Sequence, residues 1–541
     1  MLIDPSPSCH IGVRCKGDPD DAVRQIAFVP GLTLRDILNS SSLRVRSACV
    51  GVGACGLCRV RIDTGWAGAL TPAEFVHLGE AAIADGVRLA CQIVPETSLD
   101  VTVLLPARPS PWRSPILGSY QPSYPIPVKS VQSGVGLGVA VDLGTTNITV
   151  GICDLAGGRR IGVRTGRNPQ ADICSDVIGR LHMAAQSSSQ RRQLQMLAEQ
   201  AIRDALLDLL RGEGLPSHSV TRLRVVGNTA MLTLLCAADP RPLLEPKRWC
   251  HLLDGDGFLH PGLARLLDLD PSTDVALVPA LGGFIGSDLI LGVVHTRMLE
   301  QAPPAALIDF GTNSEIGLWD GQRLWVTAAA GGPAFEGVGI GCGMAAETGA
   351  AHRLFRSSDG VWQAECLDDG PVGGICGSGL IDLLAQLTKG NEIDDRGRPR
   401  SHPIEVDLAG RRFSVGKADI DMLQRAKAAI AAGLETLTHR AGISLREIRD
   451  VHVAGSFGLH LDLVNAIGIG LLPECPIERF HLAGNTALSG AFDIMLSPAA
   501  EEALHMARDK TNLINLSMEP DFDDLFVDHL FLRPFTGGHD G

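Results

Sequence analysis

The sequence of 541 residues has no surplus of positive charge: 47 Lys and Arg face 61 Asp and Glu, a formal net charge of −14. Nucleic-acid binding needs a basic footprint, so that class is excluded, and the charge serves solubility. Long unbroken apolar runs are also missing. The longest apolar stretch, roughly Val275 to Val294, carries Pro279 and Asp288, which reads as protein core and not as a membrane span. The start, Met1-Leu-Ile-Asp-Pro-Ser-Pro, has neither the basic nor the apolar region of an export signal. Sixteen histidines show no His-x-x-x-His spacing, so none is assigned to a metal. Fourteen cysteines without an export signal predict a reducing compartment and a cytoplasmic protein.

Four of those cysteines are concentrated near the start. Cys49, Cys55 and Cys58 fall in the run Ala48-Cys49-Val-Gly-Val-Gly-Ala-Cys55-Gly-Leu-Cys58-Arg59, and Cys91 follows in Ala90-Cys91-Gln92. Three thiolates in a loop of Gly and Ala, plus one distant thiolate, suit a [2Fe–2S] cluster. Small residues let the backbone wrap the inorganic core and aim amide N–H groups at sulfur. The first gap is one residue longer than the plant-type C-x4-C-x2-C spacing, which resembles the adrenodoxin-like and bacterial branch of the ferredoxins. A structural zinc site shows paired C-x2-C units, and only Cys55 and Cys58 make such a pair. The other cysteines are scattered and read as small buried apolar residues.

Residues 1–104 read as a small α+β unit with strand-like stretches at 25–29, 58–63 and 99–105 and a helix starting at Thr33. A β-grasp arrangement of this kind holds a ferredoxin cysteine loop at the surface. Residues 105–136 are dense in proline, from Pro106 and Pro109 to Pro125 and Pro127, and contain both tyrosines of the chain, Tyr120 and Tyr124. Such a segment cannot form helix and predicts a semi-rigid linker. Beyond it lies a repeat. Val139-Ala-Val-Asp142-Leu-Gly144-Thr145-Thr146-Asn147 is matched by Ala306-Leu-Ile-Asp309-Phe-Gly311-Thr312-Asn313-Ser314. Each copy is an apolar strand, an Asp-x-Gly-Thr turn and a second apolar strand. The duplication predicts two similar lobes, 137–300 and 301–541, around a cleft. The amphipathic stretches 190–210 and 420–439 predict helices packed on those sheets.

An Asp-x-Gly-Thr turn suits phosphate: glycine clears space for backbone N–H groups and hydroxyls, and the Asp holds Mg²⁺ through water or orients water. The bland reading of such an Asp is a turn-stabilising side chain. Two turns in corresponding places favour the phosphate site. A third element, Val451-His-Val-Ala-Gly455-Ser456-Phe457-Gly458, is an apolar strand entering a turn flat enough for adenine or ribose. Asp288 is a metal- or partner-facing carboxylate or else a helix N-cap. Glu336 is an alternative water-positioning group or else a plain loop carboxylate. The glycine-rich turn 373–379 is either a ligand-facing helix start or tight packing.

These three elements in this order resemble the ASKHA superfamily of acetate and sugar kinases, Hsp70 and actin. The resemblance places phosphate motifs on Asp142, Gly144, Thr145 and Thr146 and on Asp309, Gly311, Thr312 and Asn313. It places an adenosine motif on Gly455, Ser456 and Gly458, with connecting helices near Thr229 and Thr486. A ferredoxin unit fused to an ASKHA ATPase resembles the reductive activators of corrinoid-dependent methyltransferases along the whole chain. That resemblance implies a [2Fe–2S] cluster, ATP and Mg²⁺, with Asp142, Asp309 and Glu336 as catalytic carboxylates. It also implies a corrinoid protein as partner, an upstream reductase as electron donor, and a homodimer. The implied activity is ATP-driven reduction of Co(II) to Co(I). The version with extra C-terminal [4Fe–4S] segments is excluded, because no cysteine follows Cys475. An ASKHA small-molecule kinase with a redox-regulatory ferredoxin domain stands as the alternative. An activator of 2-hydroxyacyl-CoA dehydratases is disfavoured by the position of the cluster cysteines, and a plain electron shuttle by the intact Asp-x-Gly-Thr turns.

Overall fold

The computed structural model describes the chain apart from residues 1–8, 16–22, 29–30, 40, 42, 47–50, 107–110, 116–119, 128–135, 175, 254–257, 312, 338, 348, 368–370, 402, 456 and 536–541, and the side chains of 332, 333 and 459. Strands β1 (Cys9–Cys15), β2 (Arg24–Phe28), β3 (Arg59–Thr64), β4 (Val87–Leu89) and β5 (Leu99–Val103) form one sheet in the order β2-β1-β5-β3-β4. β1 and β5 run parallel at its centre; the other pairs are antiparallel. The helix Leu34–Asn39 buries Leu34, Ile37 and Leu38 with Ile11, Val13, Val60 and Val101 in a small core of its own. This is the expected β-grasp unit.

The next sheet holds β6 (Leu137–Leu143), β7 (Asn147–Asp154), β8 (Arg160–Arg167), β9 (Val220–Val226) and β10 (Asp274–Leu277), ordered β10-β9-β6-β7-β8. Further on come β11 (Ala305–Asp309), β12 (Ser314–Trp319) and β13 (Leu324–Ala329). A small sheet of β14 (Ala350–Arg356), β15 (Trp362–Cys366) and β16 (Gly374–Ile375) follows, then a hairpin of β17 (Ile404–Leu408) and β18 (Arg411–Val415). β19 (Asp450–Ala454), β20 (Phe480–Gly484) and β21 (Thr511–Leu513) return to the sheet of β11, giving the order β20-β19-β11-β12-β13-β21. Matching β9 to β19 and β10 to β20, the two large sheets share one order and one pattern of parallel and antiparallel pairs. The repeat seen in sequence as two hairpins therefore extends to five strands in each lobe. β6 and β11 read as continuous apolar runs because helices cover both faces of their sheets.

The long helices are Ser188–Glu213 and Lys417–Ala441, each a few residues longer than its apolar periodicity. Their ends are set by caps outside that pattern: Ser187 accepts from the Gln190 amide, and Gly214 and Gly442 stop the helices in the left-handed conformation. The described parts of the proline-rich segment do not stand away as a spacer. Trp112 and Tyr124 are buried in the lobe cores, and the Tyr120 hydroxyl donates to Asp493 at 2.7 Å. Proline forbids helix there but leaves the large side chains free to pack. No disulfide joins the described cysteines, and among the described residues no helix is long and apolar enough to cross a membrane.

Lys427 is a buried amine in the middle of the second long helix, 1 % exposed. It donates to the Phe531 carbonyl at 2.6 Å, while Gln424 donates to the Leu530 carbonyl at 2.8 Å. Together they clamp the chain near its end. Burial, reinforced by nearby Arg533, lowers the Lys427 pKa to about 7. A base depressed in the fold contributes stability that is fully present above its unfolded pKa and lost as pH falls to the folded value. Chemical denaturation at pH 7 and pH 9.5 should thus show wild type gaining up to about 1.4 kcal/mol per pH unit from this group. Lys427→Met should lack that gain and leave the Phe531 carbonyl unpaired, at about 1–3 kcal/mol.

Candidate functional site: a carboxylate-lined cleft and a cysteine loop

Asp142 is the penultimate residue of β6 and Asp309 the last of β11, so the duplicated strands deliver two carboxylates to corresponding positions. The pair is joined by Asp288, in the first turn of the helix Ser287–His295, and by Glu315, the cross-strand partner of Asp309 in the β11–β12 hairpin. Burial pushes the Asp142 pKa up to about 7, opposed by a hydrogen bond from Asn485 at 2.7 Å. Burial also lifts Asp309 to about 8, reinforced by the charges of Asp288 and Asp142. Asp288 and Glu315 share a hydrogen bond and are held up by burial and, for Glu315, by the charge of its partner. Among the described residues no countercharge faces the four carboxylates, a state that a cation relieves.

The first turn is braced from behind. The Gly144 carbonyl accepts from Asn168 at 2.9 Å, the Thr145 carbonyl from Arg180 at 2.8 Å, and the Thr145 hydroxyl from Asn228 at 3.0 Å. Asn228 and Asn485 both stand in Gly-Asn-Thr-Ala and both N-cap the helix that follows, Thr229–Leu235 and Thr486–Leu496. Each thus starts a connecting helix and holds a residue of the first turn. Thr146 donates to Glu336 of the opposite lobe at 2.7 Å. At the second turn and the start of β12, Asn313 Nδ2, Ser314 Oγ and Glu315 Oε2 are buried with no hydrogen-bond partner, as is Thr486 Oγ1. Buried polar atoms left open in this way fit a ligand that would complete them.

The third element meets the second directly. Gly455 has φ of +89°, and a Cβ there would collide with the Phe310 carbonyl and lie 3.1 Å from an Asp309 oxygen. Phe457 packs on Phe310 and Phe335, with centroids 5.0 and 5.5 Å apart, and Gly458 packs on Val453. Thr312 and Ser456 lie outside the described residues. The glycine-rich turn 373–379 opens the helix Gly377–Lys389, where Gly377 is pressed on Phe335 and Phe457. Tight packing accounts for it. Among the described residues no three His, Cys, Asp or Glu side chains converge on a common metal position, so the cleft carboxylates would hold a divalent ion through water.

In the β-grasp unit Cys55 and Cys58 lie on the loop before β3, and Cys91 in the one-turn helix Ala90–Gln92; Cys49 lies outside the described residues. The Cys58 thiol is hydrogen-bonded to the Cys91 sulfur. That bond, with burial, raises Cys58; the same bond lowers Cys91, against the effect of burial. Cys91 also accepts from the Gly53 amide and from Gln92 Nε2 at 3.4 Å. Gly53 has φ of +81°, and a Cβ on it would lie 2.8 Å from Ala73 and 2.9 Å from Gln92. A cramped loop with amide donors on sulfur fits an iron–sulfur cluster.

Comparison with known proteins agrees with this division. Residues 304–536 match the model of the C-terminal ASKHA domain of RACo, 137–301 that of the RACo middle region, and 18–96 that of the 2Fe-2S iron-sulfur cluster binding domain. The chain belongs to the RACo family. A solved structure titled as a reductive activator for corrinoid, iron-sulfur protein superposes with a TM-score of 0.67 at 27 % identity, over 96 % of this chain and 98 % of that one. The corrinoid activation enzyme RamQ of Eubacterium limosum is 26 % identical over 420 residues, 72 % of this chain and 69 % of RamQ. The [Co(II) methylated amine-specific corrinoid protein] reductase of Methanosarcina barkeri is 27 % identical over 245 residues, 41 % of this chain and 44 % of that protein.

In this RACo-family chain the three turns singled out by sequence are brought into one cleft, with Glu336 across from the first. Glu315 was missed. Its signal was register: a hairpin closing at Asp309 sets Glu315 opposite it, where the first repeat has Thr149 opposite Asp142. Asp288 is not the N-cap, a place taken by Gly286; it lies in the first turn of the helix, and its carboxylate joins the others in the cleft.

Proposed function

We propose that this chain reductively activates a corrinoid protein, passing one electron to Co(II) to give Co(I) at the expense of ATP. The observation that carries the reading is the pairing of Asp142 and Asp309 at matching strand ends of a two-lobed cleft, in a chain that also carries the cysteine loop. The division of labour follows 1–104 for electron delivery, 105–136 as connection, and 137–300 and 301–541 as lobes. A [2Fe–2S] cluster held by Cys49, Cys55, Cys58 and Cys91 would supply single electrons at low potential.

In the cleft, Gly144, Thr145, Thr146, Gly311, Thr312 and Asn313 take the phosphates and Gly455, Ser456 and Gly458 the adenosine. Asp142 and Asp309 hold Mg²⁺ through water or orient the attacking water, with Glu336 as a further water-positioning carboxylate. Phosphate reaching Thr146 competes with its bond to Glu336, so nucleotide entry and this contact between lobes are linked. The energetic need is concrete: plant-type clusters sit near about −400 mV, and a shortfall of about 100 mV against cobalt costs about 2.3 kcal/mol per electron. An ATP-dependent clamp that binds a more easily reduced cobalt state supplies this through differential affinity. The electron enters from an upstream reductase.

The test is anaerobic mixing of the reduced, cluster-loaded chain with Co(II) corrinoid proteins while following Co(I) absorption. Co(I) should appear with Mg-ATP and not without it. No Co(I) with any of several corrinoid proteins, together with ATP turnover stimulated by a small metabolite, would establish the kinase instead.

A further inference from the structure

The β-grasp unit is tied to the first lobe by a set of buried ion pairs. Arg35, on the helix Leu34–Asn39, is paired with Glu213, the last residue of the helix Ser188–Glu213. Both are almost wholly buried, with side chains 4 and 2 % exposed. Beside them Arg44 donates to Asp208 at 2.9 Å, and Arg164 of the first lobe reaches Asp208 at 2.7 Å and Glu213 at 3.7 Å. Arg35 also lies against the cysteine loop. A Cβ on Gly51 would lie 3.1 Å from its Nη1, and its charge is felt by both Cys58 and Cys91. Its Nε is buried with no hydrogen-bond partner, so the guanidinium has a donor left open.

Buried ion pairs are a poor means of holding two units together, because desolvation cancels most of their attraction; their best-attested use is to set register or to switch. One guanidinium here answers to three negative neighbours: Glu213, the adjacent Asp36 at 3.3 Å, and the cysteine loop. We propose that Arg35 is a redox-sensing latch: it holds the ferredoxin unit on the first lobe through Glu213, assisted by Arg44 and Asp208, and reduction of the cluster loosens that hold. One electron from a low-potential flavin or iron–sulfur reductase adds one negative charge beside Arg35. No covalent bond forms or breaks and no proton moves; the guanidinium turns from carboxylate to cluster, and Glu213 is repelled. Coupling of this kind is reciprocal. A tenfold weaker docking of the reduced unit equals a docked cluster about 59 mV harder to reduce. The electron-loaded unit is thereby released to seek its acceptor.

The inference rests on the cluster and is independent of the acceptor. The test uses the full chain with its cluster rebuilt anaerobically, in wild type, Glu213→Gln and Asp208→Asn. Potentiometric titration of the reduced-cluster EPR signal should shift to less negative values in both variants. Small-angle scattering should show the wild type extending on reduction with dithionite, and the variants already extended when oxidised. A normal EPR signal with unchanged potentials and redox-independent scattering overturns the latch and leaves the proposed function standing. A wild-type chain that takes up no cluster overturns both.

Discussion

Under the proposed function, Cys91→Ser should abolish electron delivery and leave ATP turnover in place. Cys91 is the only proposed ligand from outside the loop 49–58 and is buried against the core of the β-grasp unit. A serine there keeps the shape and removes the sulfur that accepts from the Cys58 thiol, the Gly53 amide and Gln92. Iron content and the reduced-cluster EPR signal should fall to background after rebuilding, and Co(I) formation with them. The cleft belongs to separate sheets, so basal ATP hydrolysis should stay within about twofold of wild type, because no cleft charge changes. A variant that keeps its cluster signal would remove Cys91 from the ligand set.

Asp309→Asn is the counterpart in the cleft. Loss of one preorganised charged group from a phosphate site lowers turnover by about 10²–10³-fold, and Co(I) formation should fall in step while the cluster is unaffected. The same change should make the nucleotide-free chain more stable. Burial, aided by Asp288 and Asp142, raises Asp309 to about 8. An acid raised in the fold contributes stability that is present below its unfolded pKa and lost as pH rises through the folded value. Wild type without nucleotide or divalent ion should accordingly lose stability between pH 5 and pH 8, and Asp309→Asn should lose less. Denaturant titrations at the two pH values, beside turnover assays, separate a functional carboxylate held at a cost in stability from an ordinary turn residue.

Sequence reading was strongest where chemistry and chain path coincide. The cysteine loop, the two Asp-x-Gly-Thr turns and the Gly-Ser-x-Gly turn all sit at strand ends, where glycine and a short polar residue mark both the turn and the ligand. The same holds for Asn228 and Asn485, whose Gly-Asn-Thr-Ala setting announces a helix start. Glu315 was not legible because it lies inside a strand, and only the pairing register puts it opposite Asp309. The Arg35–Glu213 pair was not legible either: 178 residues separate its partners, and each alone looks like a solvated surface charge. The proline-rich segment was read for its backbone, which proline does restrict. Its packing was decided by Trp112, Tyr120 and Tyr124, whose apolar area is worth burying wherever the lobes offer a surface.

In the proposed function ATP acts on the cobalt side. The measurement that tests this most directly is a pair of midpoint potentials in the complex with a Co(II) corrinoid protein, one for the cluster and one for cobalt, each with Mg-ATP and without nucleotide. The Co(II)/Co(I) potential should rise with Mg-ATP while the cluster potential stays where it was. A cluster potential that falls with ATP, beside an unmoved cobalt potential, would contradict the account and make the lobes a device for energising the electron donor.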